Sequence, residues 1–278
     1  MAKHKVAKTG GAAHELIELG KTVFYALLIA FVLRVVLFQP FTIPSESMEP
    51  ALLKGDYIIV SKFAYGWSRH SIPLSPPIGH GRLLGQQPHR GDIIVFKLPR
   101  DDGKTDYIKR LVGLPGDKIQ VIHGAVSVNG HPIPRQATAP GVDQTAFGGE
   151  FPVARFRETL ASGKTYVTNS YGPDGPADNT GVYVVPPNCY FMMGDNRDNS
   201  EDSRFDPGDI PPGASSCPWN RDTDRFVSQD LGVGFVPFDN LEGRADIILF
   251  SWKPGVSLLK PWTWVTDARW DRFFHPLG

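Results

Sequence analysis

The chain is poor in the features that would make it a disulfide-built or metal-built domain. Among 278 residues there are two cysteines, Cys189 and Cys217, too few for a disulfide framework. Neither belongs to a CxxC or Cys/His spacing, so the pattern holds no metal site and implies no cofactor. The two can pair in an oxidising compartment, or Cys189 can be a small apolar residue within a strand. An excess of charge is missing as well. Lys+Arg and Asp+Glu both number 29 and no basic run stands out, which leaves no electrostatic footprint for nucleic acid. Sustained helical periodicity is lacking outside one N-terminal segment, apart from a weak stretch near the C-terminus.

What the chain does have is turns. Gly 29 and Pro 25 occur with 41% hydrophobic residues, the composition of many short strands rather than of disorder. It also has one long apolar segment. Val23 to Phe38 is apolar except for Arg34, and with Phe41 and Ile43 it reaches the ~17–25 residues that cross a bilayer. A signal peptide shares the basic start and apolar run but closes on small residues at a cleavage site. Here the exit is bulky, so the segment reads as an uncleaved anchor, with a buried core helix as the other reading. Lys3, Lys5, Lys8 and Lys21 precede it, which predicts a cytoplasmic N-terminus and an external chain after Phe41. The expected boundaries are a tail at 1–21 and a transmembrane helix at 22–40.

Beyond the anchor the signals are those of β structure. Turn residues open short apolar runs at Tyr57–Val60, Ile93–Phe96, Ile119–Ile122 and Ala245–Phe250. Asn129-Gly130 suits the type I′ turn of a hairpin over Ala125–Ile133. Two loop-rich insertions occupy 66–90 and 134–187, the second with at most one strand pair, Thr165–Asn169 with Val182–Val185. The expected fold is mostly β: a transmembrane helix, then an antiparallel, barrel-like sheet domain at 41–117 and 188–278. A smaller β-rich subdomain is inserted at 118–187.

Three segments carry candidate chemistry. In the first, Pro44 and Pro50 bracket Ser45 and Ser47 and stiffen an extended backbone just outside the anchor. A serine hydroxyl is a weak nucleophile until a base takes its proton, and none of the eight histidines has a compelling setting. The second segment holds Lys109, which on a strand shares a face with Tyr107 and Leu111. A free lysine, with a pKa of ~10.4, is no base at neutral pH, but burial disfavours the ammonium and can make it one. The third segment, Met193–Arg204, is dominated by Asp, Asn, Ser and Arg and suits a densely hydrogen-bonded loop. Ser200 can aim the lysine amine, and Asp202 can pair with Arg204. Each segment alone also reads as an ordinary solvated turn or strand face.

In this order after an anchor, PSESMEP, DYIKRLVGLPGD and GDNRDNSEDSR resemble the motifs of bacterial type I signal peptidases. These are membrane-bound serine proteases with a Ser/Lys dyad that remove signal peptides from exported proteins. The likeness covers the anchor exit, the RGDIIVF strand, the lysine segment and the GDNRDNS loop, with scattered residues to Phe250. It implies Ser47 as nucleophile, Lys109 as general base, and Ser45 as the hydroxyl that joins the Ser47 N–H in an oxyanion hole. Ser200 would orient the lysine, with Asp202, Asp195 and Arg204 shaping the loop around it. Phe41, Ile43 and Ile108 resemble the apolar lining of pockets for small side chains, and Met48 belongs to the same motif. Glu46 departs from a frequent glycine and Ala51 from a frequent threonine.

The resemblance further implies a catalytic β domain on the periplasmic side of a bacterial inner membrane, held by a single pass. Expected partners are signal-peptide-bearing precursors cut after Ala-x-Ala sites, and the lipid bilayer, with the protein a monomer. Two other readings are a self-cleaving or specialised Ser/Lys processor, and a non-enzymatic anchored scaffold. Trp252, Trp262, Trp264, Trp270, Phe273 and Phe274 form either an interfacial belt or a packed core.

Overall fold

Apolar side chains with no core to enter mark the first element of the computed structural model. It describes residues 11–76, 79, 81–101, 103–144, 150–205, 217, 232–254, 256 and 260–277. The tail residues Lys3, His4, Lys5 and Lys8 lie outside these. Helix α1 runs Gly11–Val36. Its stretch His14–Val36 has a mean hydropathy of 2.0, and none of it is buried against the rest of the protein. That is the length and character of a membrane span.

The helix is displaced toward the N-terminus from the expected 22–40. It takes in Leu16, Ile17 and Leu19 and closes at Val36. The reason is Pro40, which a helix interior excludes but the edge of a sheet accepts. Strand β1 (Phe38–Thr42) claims it and pairs antiparallel with β2 (Asp56–Ser61), Phe38 facing Ser61 and Thr42 facing Tyr57.

The next strands are β3 (Ile93–Lys97), β4 (Asp106–Gly113), β5 (Lys118–Ile122), β6 (Ala125–Val128), β7 (His131–Pro132) and β8 (Arg135–Ala137). Then come β9 (Gly141–Gln144), β10 (Glu150–Thr159), β11 (Thr165–Ser170), β12 (Tyr183–Val184) and β13 (Cys189–Met193). The last are β14 (Val236–Pro237), β15 (Leu241–Ser251) and β16 (His275–Pro276). The large sheet has the order β1-β2-β15-β3-β4-β13-β14, with β16 beside β15. Its long central strand, β15, shifts register against β2 and β3 at three places. Such bulges bend and twist a strand, which curls the sheet.

Two smaller sheets fill the insertion, β11-β10-β8 with β9 on β10, and β12-β5-β6-β7. The expected pairing of Thr165–Asn169 with Val182–Val185 does not occur: β11 pairs with β10 and β12 with β5. The ten-residue β10 escapes the hydrophobic pattern because Arg155, Arg157 and Glu158 interrupt it. The Asn129-Gly130 turn has φ of 55° and 79°, as a type I′ turn requires. His123-Gly124, at 48° and 70°, joins β5 to β6 in the same way without any asparagine to announce it.

One apolar cluster runs from Val112 and Phe191 in the large sheet into Ile119, Val126 and Tyr166 of the insertion. A second, with Ile43, Met48, Leu52 and Ile58, lies under the start of the sheet. Cys189 and Cys217 form a disulfide, with Cα atoms 5.8 Å apart. The C-terminal aromatics divide between the two readings. Phe273 packs against Phe250, Trp252 and Trp270, while Trp262, Trp270 and Phe274 remain 60–62% exposed.

Candidate active site

The segment after β1 turns because Pro44 ends the strand and two apolar residues pull the next turn inward. Ile43 still accepts from Gly55 N and donates to Asp56 O, and then Met48 and Leu52 bury completely. The turn is closed by Glu49 N to Glu46 O (3.0 Å) and Leu52 N to Met48 O (2.9 Å). Ser47 is therefore held on a rigid support, itself 8% exposed. Ser45 stands on the exposed side, its Oγ 3.4 Å from Ser47 Oγ.

Strand β4 brings the second partner. Its register with β3 sets Lys109 opposite Ile94 and leaves the residue 4% exposed. Lys109 Nζ lies 2.6 Å from Ser47 Oγ and 5.5 Å from the centre of the Tyr107 ring. Among the described residues no carboxylate lies within ion-pair distance of it. Burial lowers the Lys109 pKa to about 8, against the opposing fields of Asp202, Glu201 and Asp195. A neutral amine at this position can accept the Ser47 hydroxyl proton.

The loop after β13 is tied down by three buried ion pairs. Arg110, which follows Lys109 on β4, holds Asp195 through Nε and Nη2, both at 2.7 Å. Arg204 holds Asp202 through Nε and Nη2, both at 2.9 Å. Burial alone would raise the Asp202 carboxyl; Arg204 and the N–H groups of Gly194 and Arg204 more than offset this and keep it low. Arg197 reaches into the insertion and grips Glu158 on β10 at 2.8 and 2.7 Å. Gly194 is required by close approach: a Cβ there would lie 2.2 Å from Ser200 Oγ and 2.5 Å from Ser47 O. Asn196 locks the nucleophile's turn from behind, N–H to Ser47 O at 3.1 Å and Nδ2 to Glu46 O at 3.3 Å. The same Nδ2 donates to Asp143 of β9 at 2.5 Å.

These residues line a cleft of about 560 Å³ running from Pro44–Ser47 past Thr105–Lys109 to Asp198–Glu201. Ser45, Ser47, Lys109, Ser200 and Ile108 of the expected set border it. Ser200 Oγ is buried and has no hydrogen-bond partner among the described residues, Lys109 included. Asp195, Asp202 and Arg204 stand behind the wall. Phe41 is half-buried and Ile43 is 2% exposed, both packed in the cluster beneath the turn. Met48, of the same motif, is 1% exposed and packs in that cluster as well, where it anchors the turn. Arg110, Glu158, Arg197, Asn196 and Asp143 carry no local signal, since each acts through a partner distant in sequence. Glu46 pairs with Lys54 at 3.1 Å on the surface.

The family model described as signal peptidase, peptidase S26, matches residues 16–252. Signal peptidase I of Rickettsia typhi (strain ATCC VR-144 / Wilmington) is 34% identical over 272 residues, covering 91% of this chain and 90% of that protein. Signal peptidase I of Rickettsia canadensis (strain McKiel) is 34% identical over 274 residues, covering 92% of each. A solved signal peptidase I from Enterococcus faecalis V583 is 22% identical and covers 57% of this chain and 97% of that one, with a TM-score of 0.28.

Proposed function

This chain belongs to the signal peptidase family, peptidase S26, and from that premise we propose that it works through a Ser47/Lys109 dyad. The family membership makes it a serine peptidase that removes signal peptides from precursor proteins. The observation that carries the finer reading is the 2.6 Å contact between Lys109 Nζ and Ser47 Oγ, two largely buried residues at the wall of the cleft.

In the first step Ser47 Oγ bonds to the carbonyl carbon before the cut, and its proton passes to Lys109 Nζ. The oxyanion takes hydrogen bonds from the Ser47 N–H and the Ser45 hydroxyl. Lys109 then returns the proton to the departing amine, the C–N bond breaks, and an ester to Ser47 remains. Lys109 next takes a proton from water, whose oxygen bonds to the acyl carbon; the bond to Ser47 Oγ breaks, Lys109 gives the proton to that oxygen, and the signal peptide leaves as a carboxylic acid. Ser200 borders the same cleft as the amine, and the Arg110–Asp195 and Arg204–Asp202 pairs keep the loop around it in place.

The precursor binds as an added strand. β1 is the edge of its sheet, so its outer side is open to an extended chain beside Phe41–Ser45. Main-chain hydrogen bonds serve any sequence, while the apolar wall presented by Ile108, packed on the cluster that holds Phe41 and Ile43, admits only small side chains, hence cleavage after Ala-x-Ala. The anchor α1 crosses the inner membrane of a bacterium once, as part of a monomer with a cytoplasmic N-terminus. Residues 41–117 and 188–278 then do the catalysis on the outer side, and 118–187 form the lobe that braces the loop. The Cys189–Cys217 disulfide supports that side, since disulfides persist in oxidising compartments.

The test uses the full chain and one exported precursor, with mass-spectrometric mapping of the product N-terminus. Cleavage after Ala-x-Ala by the wild type, and none by Ser47→Ala or Lys109→Ala, is the expected result. Full activity in Lys109→Ala would sink the dyad.

A further inference from the structure

The cleft around Ser47 is lined by four carboxylates, Glu46, Asp106, Asp198 and Glu201, and Lys109 is the one cation among its described lining residues. Two of the four have cationic partners: Glu46 with Lys54 at 3.1 Å and Asp106 with Lys97 at 2.5 Å. Among the described residues the other two do not. Asp198 accepts, among the same residues, from neutral donors, Tyr171 N at 2.6 Å and Ser170 Oγ at 3.2 Å. Burial, with the field of Asp178, raises its carboxyl above the usual range, outweighing the Tyr171 N–H, the Ser170 hydroxyl and the field of Arg204. Glu201 is exposed and has no ionic partner among the described residues. Between them Ser200, 7% exposed, borders the same cleft with its Oγ unpartnered. The Glu46–Lys54 pair lies at the surface, with side chains 29% and 48% exposed, so an incoming cation displaces Lys54 at small cost.

Strand addition beside Phe41–Ser45 lays the residues before the cut along the apolar wall. The residues after the cut then run past Ser47 toward Asp198–Glu201. We infer that this end of the cleft is a cation-preferring subsite for the first residues of the mature chain. Precursors with Lys or Arg there are processed faster than precursors with Asp or Glu. The inference rests on the peptidase reading above and names a substrate preference of that same site.

The experiment uses the full chain in micelles of an uncharged detergent. Three precursors share one signal sequence and one Ala-x-Ala site and differ only in the second mature residue: Lys, Gln or Asp. At low salt kcat/KM should be about fivefold higher for Lys than for Asp, the size of a surface charge effect, and the ratio should vanish near 1 M salt. The ratio should also fall toward one in Glu201→Gln and in the Glu46→Gln/Glu201→Gln double variant. Because it is taken within each variant, any overall loss of activity cancels. Equal wild-type rates for all three precursors overturn the inference and leave the peptidase reading standing. A ratio that survives in the double variant overturns it too. Failure to cut any of the three removes the peptidase reading and the inference with it.

Discussion

Lys109 and Arg110 are consecutive on β4 and buried to the same degree, 4% and 3% exposed, yet the strand turns them into different worlds. Lys109 meets a serine hydroxyl and a tyrosine ring and, among the described residues, has no carboxylate within ion-pair distance. Arg110 meets both oxygens of Asp195, the Gly91 carbonyl, and the face of Tyr166 at 4.2 Å. Burial works against both charges. For Arg110 the Asp195 carboxylate more than offsets it and holds the guanidinium above its usual range; for Lys109 nothing nearby does, and the pKa falls to about 8. Burial therefore does not decide what a cation becomes. The partner does: with one the cation is a fixed strut, without one it is a base near neutrality.

The largest effect should come from removing the unpartnered cation. Lys109→Met should lower kcat/KM by roughly 10⁴-fold or more, as loss of a dyad member does. It should also raise stability at pH 7 by about 3 kcal/mol, because a pKa lowered from 10.5 to about 8 is a cost of folding. The sign follows from proton binding. Between pH 8 and about 10 the unfolded lysine holds a proton that the folded one has lost, so wild-type stability climbs with pH there. The variant should lack that climb, and urea unfolding in detergent at several pH values reads it. A Lys109→Met protein less stable than wild type would end the contrast.

Next in size is the opposite operation on the neighbour. Arg110→Met leaves Asp195 buried without its partner and should cost about 3–5 kcal/mol. Arg110→Met/Asp195→Leu should recover most of that, because a buried pair is often replaceable by apolar groups of similar volume. A single variant as stable as wild type would show that Asp195 has other support.

The smallest effect sharpens the comparison without mutation. Only the neutral amine accepts a proton, so kcat/KM should rise about tenfold per pH unit below about 8 and level off above it. A profile already flat from pH 6 to 9 would show that Lys109 is not the titrating base.

Legibility in the sequence differs by element. Asn129-Gly130 announces its hairpin because a type I′ turn needs residues that tolerate positive φ, and the apolar runs of β2, β3, β5 and β15 stand out by alternation and branching. β10 does not, because Arg155 and Glu158 point to polar partners, Asn169 and Arg197, that no local pattern contains. Ser47 and Lys109 are legible as a serine near a membrane and a lysine on an apolar strand. Met48 is legible as part of a motif, but that its size and apolarity seat the turn shows only in the packing. Asn196 and Asp143 give no signal, since a polar residue that clamps a remote backbone looks like any loop residue.

By itself the sequence determined the presence of one long apolar segment, the β character of the chain beyond it, and the residue types able to do acyl-transfer chemistry. These come from composition, period and local backbone preference, which act over a few residues. The tertiary structure alone decided that Lys109 would lack a carboxylate while Arg110 would have one. It also decided that α1 would yield Phe38–Thr42 to a sheet edge, and that Cys189 would meet Cys217. Those outcomes depend on which distant side chains share a dry space, where the loss of water makes each partner count most.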